Sequence, residues 1–126
     1  MGKPTVEEFT RFFLEEYEPA SGPIEETDAI PGDLLKRAAE AGAYRLTIPE
    51  EYGGWGMSVA EYLPYLEGAA KGHGSGRMLV HLTNGVWRPL SMFGTEAQRA
   101  LIPGMASGDV VVAFCLTEKT GGTGRD

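Results

Sequence analysis

The stretch LTEKTGGTGRD, Leu116 to Asp126, holds the residues best suited to gripping a small polar ligand. Thr117, Thr120 and Thr123 supply short hydroxyls at intervals of three, and Gly121, Gly122 and Gly124 let the backbone approach closely. Taken alone, such a stretch reads equally well as a frayed terminal loop. Other candidates are sparse. His73, His81 and Cys115 are the only soft metal ligands and lie far apart, which argues against a structural zinc set. Cys115 sits in an apolar run with no basic neighbour to lower its pKa, so it reads as inert. Glu50 and Glu51 are adjacent on a loop and point apart, which suits helix entry or the surface rather than paired acid–base work. His81, among Leu and Val, reads on its own as a hydrogen-bonded core residue.

The elements that must hold these groups are mostly helical. Thr5 and Glu8 form a capping box, followed by Val6, Phe9, Phe13 and Tyr17 on one face, which predicts a helix ending before Pro19. ASGPIEETDAIPG carries no period and is expected to be a loop leading to a second helix on Leu34, Leu35, Ala38 and Ala39, closed by Gly42. YRLTIPEEYGGWGMS combines helix-breaking Pro49, Gly53, Gly54 and Gly56 with Tyr44, Leu46, Ile48, Tyr52 and Trp55, and predicts an ordered loop. Ser58 and Glu61 open a third helix, in which Pro64 should kink the chain or mark the true start. GHGSG breaks the chain. Arg77 through Met92 is apolar on nearly all sides and predicts a helix buried by its neighbours, bent at Pro89. Thr95 and Gln98 cap a short helix through Ile102, limited by Pro103 and Gly108. VVVAFCL, Val110 to Leu116, then predicts a strand buried on both faces.

Composition sets the outer bounds. A chain of 126 residues with 42% hydrophobic content can build one core. A net charge of −7, with basic residues scattered singly, argues against a nucleic-acid surface. One cysteine excludes an internal disulfide and fits a reducing compartment. The opening MGKPTVEEFTRFF has no apolar signal-peptide core, and no run is apolar enough to span a bilayer; the default expectation is a soluble, cytoplasmic protein with neither nucleic-acid nor membrane partner. One strand after five helices leaves an edge unpaired, so the expected architecture is all-α: a helical domain over residues 1–108, then the start of a further domain over 109–126 whose sheet lies elsewhere.

AEAGAYRLTIPEEYGGWGMSVAEYLPYLEGAA followed by MFGTEAQRALIPGMASGDVVVAFCLTE resembles the amino-terminal part of the acyl-CoA dehydrogenases. The agreement runs over nearly the whole chain, through IPEEYGG, FGTEAQR, LIPGMASG and the LTE that closes the strand. In that family a helical N-terminal domain precedes a β-barrel domain and a second helical domain, with FAD between the last two and the acyl thioester against the isoalloxazine ring. The resemblance implies a helical bundle of about five helices and the first barrel strand.

It also implies roles. Backbone groups at Phe114 and Leu116 and the Thr117 hydroxyl would meet the flavin pyrimidine end, with Gly122 in the flavin loop and Thr123 replacing the usual Ser near flavin and substrate phosphates. Lys119 stands where the family carries Pro, and Gly124 and Arg125 delay the acid that ordinarily follows at once. His81 and Gly85 fall where the domain closes the far end of the acyl pocket. The family's catalytic glutamate lies in the C-terminal helical domain, so no catalytic residue is expected here, and these 126 residues alone are expected to be an inactive piece of an enzyme. For the whole enzyme the resemblance implies FAD, acyl-CoA substrate, electron-transfer flavoprotein as acceptor and a dimer or tetramer. Flavin monooxygenases and oxidases of the same fold, or a free-standing helical interaction module, are the alternatives.

Overall fold

The computed structural model describes residues 2–117 and Lys119. Among these residues every regular element is helical, in seven α-helices with short π and 3-10 turns and no strand. Helix α1 (Val6–Phe12) starts at Thr5, whose hydroxyl accepts from the Glu8 N–H while the Glu8 carboxylate accepts from the Thr5 N–H, so two otherwise unpaired helix-end donors are satisfied. A π turn (Phe13–Tyr17) and a 3-10 turn (Glu18–Ala20) carry the axis onward. Phe9, Phe13 and Tyr17 are all buried, as their spacing predicts, and their rings follow one another at 5.1 and 5.4 Å.

The chain does not relax into a loop after Pro19. α2 (Ser21–Thr27) forms within the Pro- and Gly-rich stretch. Pro23 lies in its first turn, where the missing N–H costs no bond, and Ile24 is buried against the core. Thr27 donates back to the Pro23 carbonyl, and Asp28 ends the helix in the left-handed region at φ 51°. α3 (Gly32–Glu40) buries Leu34, Ala38 and Ala39 and stops at Gly42, φ 83°.

Residues 43–57 make no regular element beyond a 3-10 turn (Glu50–Tyr52), yet backbone hydrogen bonds tie them together. Trp55, Gly56 and Met57 donate their N–H groups to the carbonyls of Arg45, Ile48 and Leu46, folding the loop against itself. Gly54 is required at the crossing, since a Cβ there would stand 1.9 Å from the Ile48 carbonyl oxygen. Tyr44, Leu46, Ile48 and Met57 are buried.

α4 (Val59–Ala70) repeats the capping box with Ser58 and Glu61 and runs unbroken through Pro64, which is exposed. α5 (Gly74–Phe93) begins earlier than Arg77 because His73 acts as its N-cap. The Ser75 N–H donates to His73 Nδ1, so Nδ1 is the acceptor and Nε2 carries the proton it donates to Glu25, 2.9 Å away; α5 is thereby tied to α2. The short helix expected from Thr95 through Ile102 resolves into two pieces. α6 (Glu96–Arg99) is capped by Thr95 and Gln98, and α7 (Ile102–Ser107) carries Pro103 in its first turn, where it opens a helix rather than closing one.

Two apolar clusters result. The larger joins α1, the turns after it, α3, α4 and the loop; the smaller gathers Ile48, Ile102, Met105 and Ala106. Val110 and Val112 pack on the smaller cluster, while Val111, Phe114 and Leu116 face out. The in–out alternation ends at Val112, and residues 113–117 are all exposed and form no ladder. Their expected burial on both faces does not occur, because no neighbouring strand is present among the described residues. Cys115 is likewise exposed.

Candidate functional site

α5 is not surrounded on all sides. Gly76, Val80, Thr83 and Asn84 are buried along one face, whereas Met78, Met92 and Phe93 are exposed, Phe93 by 82%. Leu79, Val86, Trp87 and Leu90 flank that stripe and are partly buried against the two clusters, which leaves Met78, Met92 and Phe93 outward.

A hydrogen-bond cluster fixes that helix. The Thr47 N–H donates to Asn84 Oδ1 at 2.9 Å, the Thr47 hydroxyl donates to the Asn84 carbonyl, and Trp87 Nε1 donates to Thr47 Oγ1 at 3.0 Å. Asn84 Nδ2 donates to the carbonyls of Ala43 and Val80 at 2.7 and 2.8 Å. Asn84 thus uses both ends of its amide, and the loop is bolted to the middle of α5 through Ala43 and Thr47, just ahead of IPEEYGG. Sequence reasoning did not find this cluster. Its one signal is the pair Thr83–Asn84 inside an otherwise apolar run, since buried polar residues need partners.

His81 and Gly85 lie on the opposite, exposed side. They line two adjacent hollows of about 220 Å³ each. One is bounded by Leu82, Val86, Pro89 and Phe114. The other lies between α4 and α5 against Tyr62, Leu63 and Leu66, with Thr47 and Asn84 also in its lining. His81 Nδ1 is 3.4 Å from the Tyr62 hydroxyl, a long contact, and burial pushes the Tyr62 phenol up to about 12. The histidine is therefore not a core residue. Gly85 has open space around it: a Cβ added there would meet nothing within 4 Å.

Phe114 joins the first hollow, so the extended run and α5 share a boundary. Leu116 and Thr117 are exposed and stand beyond it. Gly122 and Thr123 fall outside the described residues. Glu50 and Glu51 are exposed in a 3-10 turn (Glu50–Tyr52) and face no shared ligand. Among the described residues no three His, Cys, Asp or Glu side chains converge as a metal site, and no helix is long and apolar enough to cross a membrane.

Comparison with known proteins gives one consistent answer. A sequence model of the family "Acyl-CoA dehydrogenase, N-terminal domain" matches residues 3–109. An acyl-CoA dehydrogenase of Bacillus subtilis is 33% identical over 126 residues, covering 98% of this chain and 32% of that protein. The human mitochondrial very long-chain specific acyl-CoA dehydrogenase is 34% identical over 127 residues, covering 96% and 18%. Among solved structures, a chain from work on the electron transferring flavoprotein of Acidaminococcus fermentans aligns at TM-score 0.75 and 28% identity, over 91% of this chain and 31% of that one. The chain thus spans a third or less of the length of these relatives.

Proposed function

The chain belongs to the acyl-CoA dehydrogenase family through its N-terminal domain, and on that premise we propose that it serves a flavin-dependent enzyme acting on an acyl-CoA thioester, with the exposed face of α5 closing the far end of the acyl pocket. The observation that carries this reading is the pair of adjacent hollows meeting at His81 and Gly85, of which one, along Leu82, Val86 and Pro89, includes Phe114. A saturated chain end needs a mostly apolar, preformed surface, and these side chains supply it. The Asn84 cluster keeps that surface in place, and Thr47 and Asn84 themselves line part of the second hollow.

Phe114, Leu116 and Thr117 fit one side of a flavin contact. They offer neutral backbone groups and a hydroxyl on an extended, exposed run, suited to the polar edge of an isoalloxazine ring without added charge. The role of Gly122 and Thr123 in the same contact rests on motif position alone. When bound, FAD would accept the hydride that leaves the substrate β carbon. The α proton is then the task of a glutamate outside these residues, so the 126-residue chain alone is expected to purify colourless and show no turnover with any acyl-CoA. In the whole enzyme, electron-transfer flavoprotein is the proposed acceptor and a homo-oligomer the proposed assembly.

The test is the chain-length profile of the enzyme carrying this domain, with and without Gly85→Leu. The substitution meets open space, so the fold should survive. Rates with the longest acyl-CoA substrates should fall about tenfold or more relative to the shortest, since a filled apolar pocket rejects methylenes at roughly that cost. An equal loss at all lengths, or none, would overturn the assignment.

A further inference from the structure

Arg45 is unusual among the charged residues. Its Nε is a buried side-chain nitrogen without a hydrogen-bond partner among the described residues, and none of the ion pairs among them includes Arg45. At Nε the N–H loses its hydration with no acceptor in return, while the side chain as a whole is only partly buried and can present its remaining donors to the hollow beside it. The side chain is held in place. Its guanidinium carbon lies 5.8 Å from the centre of the Trp55 ring, and the Trp55 N–H donates to the Arg45 carbonyl at 2.7 Å. The Trp55 ring is itself wedged against Gly42, where a Cβ would stand 2.1 Å from it.

Arg45 lines a hollow of about 500 Å³ between α3 and the end of α7, together with Lys36, Glu40, Asp109 and the apolar Leu35 and Ala39. Ser107 donates to Asp109 at 2.6 Å and occupies part of that carboxylate. The hollow thus holds two cations and two anions, with the guanidinium unpaired. A dianion would be repelled by Glu40 and Asp109. A single carboxylate would balance Arg45 and take two parallel N–H donors in the planar geometry that guanidinium offers.

We propose that this hollow is a binding site for one carboxylate, held by Arg45 stacked on Trp55 and assisted by Lys36. The group can be presented by a small free acid or by an acidic side chain of a peptide segment. Either source makes Arg45 an anchor in a hollow that shares no lining residue with the acyl-facing surface, and the assignment stands whether or not that surface binds substrate.

The test uses the arginine Nε–H resonances of the 15N-labelled chain during titration at constant ionic strength with acetate, with a blocked tetrapeptide containing one Asp, and with sulfate. Acetate should shift the Arg45 signal saturably, and sulfate should not. Tighter binding of the peptide than acetate assigns a peptide segment as the source; equal binding assigns a free acid. Lys36→Met, at an exposed position, should weaken binding about two- to fivefold, the range of a solvent-exposed charge contact, and Arg45→Lys, followed through the Trp55 indole N–H in place of the lost arginine signal, should abolish saturation. No saturable shift with either carboxylate, an equal response to sulfate, or unchanged affinity in Lys36→Met would overturn the proposal.

Discussion

Asn84 is the residue on which the geometry of α5 depends most. Replacing it with Ala would leave the Thr47 N–H and the Ala43 carbonyl without their partner inside the protein. Each orphaned buried group costs about 1–3 kcal/mol, so Asn84→Ala should lower the unfolding free energy by at least that much in urea titrations and shift Trp87 emission as its Thr47 contact loosens. Unchanged stability would mean that water replaces the amide and the cluster is not structural. Thr117 lies on an exposed run and should behave oppositely. In the flavin-loaded enzyme Thr117→Val should leave folding intact and weaken flavin binding by about 0.5–1.5 kcal/mol, the value of one hydrogen bond. At this scale the sequence was least legible. Thr47 and Asn84 stand 37 positions apart, and no local period announces that they meet. His81 misled for a related reason: apolar neighbours in sequence suggested a core, but on a helix they divide between two faces, and His81 belongs to the open one.

Helix starts were far more legible than helix ends. The three capping boxes at Thr5, Ser58 and Thr95 all form, because each needs only residues three apart. They differ in one testable respect. Backbone N–H donation from Thr5 holds the Glu8 carboxyl below its ordinary value near 4.5, and Ser58 does the same for Glu61, whereas Gln98 does not titrate. A depressed carboxyl contributes stability above its unfolded pKa and loses it as pH falls through the folded value. Relative to the intrinsic exchange rate at each pH, amide protection at the first turns of α1 and α4 should therefore fall below about pH 4.5 while the first turn of α6 keeps its protection; equal acid sensitivity at all three would contradict the pairing. The prolines were harder to read. Pro23 and Pro103 each sit at the start of a helix, where proline is tolerated, and sequence alone does not separate a proline that ends one helix from one that begins the next.

For the whole molecule, an all-helical domain followed by an extended apolar run was legible because helical period and β-branched runs are both short-range signals. What the run packs on was not. Val110 and Val112 bind the small cluster at Ile48 and Met105, leaving Val111, Phe114 and Leu116 outward, Phe114 beside the open face of α5 and Val111 beside α3. That outward surface is where the rest of the enzyme is proposed to close on substrate. Loop residue Gly54 is critical to presenting it, since a side chain there collides with the Ile48 carbonyl. Gly54→Ala should lower the melting temperature more than Gly85→Ala, a substitution that meets open space; the reverse order would show that the loop adjusts freely.

Photo-crosslinking from the tip of the acyl chain tests the acyl-facing assignment most directly. A long-chain acyl-CoA carrying a diazirine at its terminal carbon, bound to the enzyme that contains this domain and irradiated, should label the α5 peptide between His81 and Pro89, with Gly85→Leu reducing the yield. Labelling confined to other parts of the enzyme, with that peptide clean, would contradict the account.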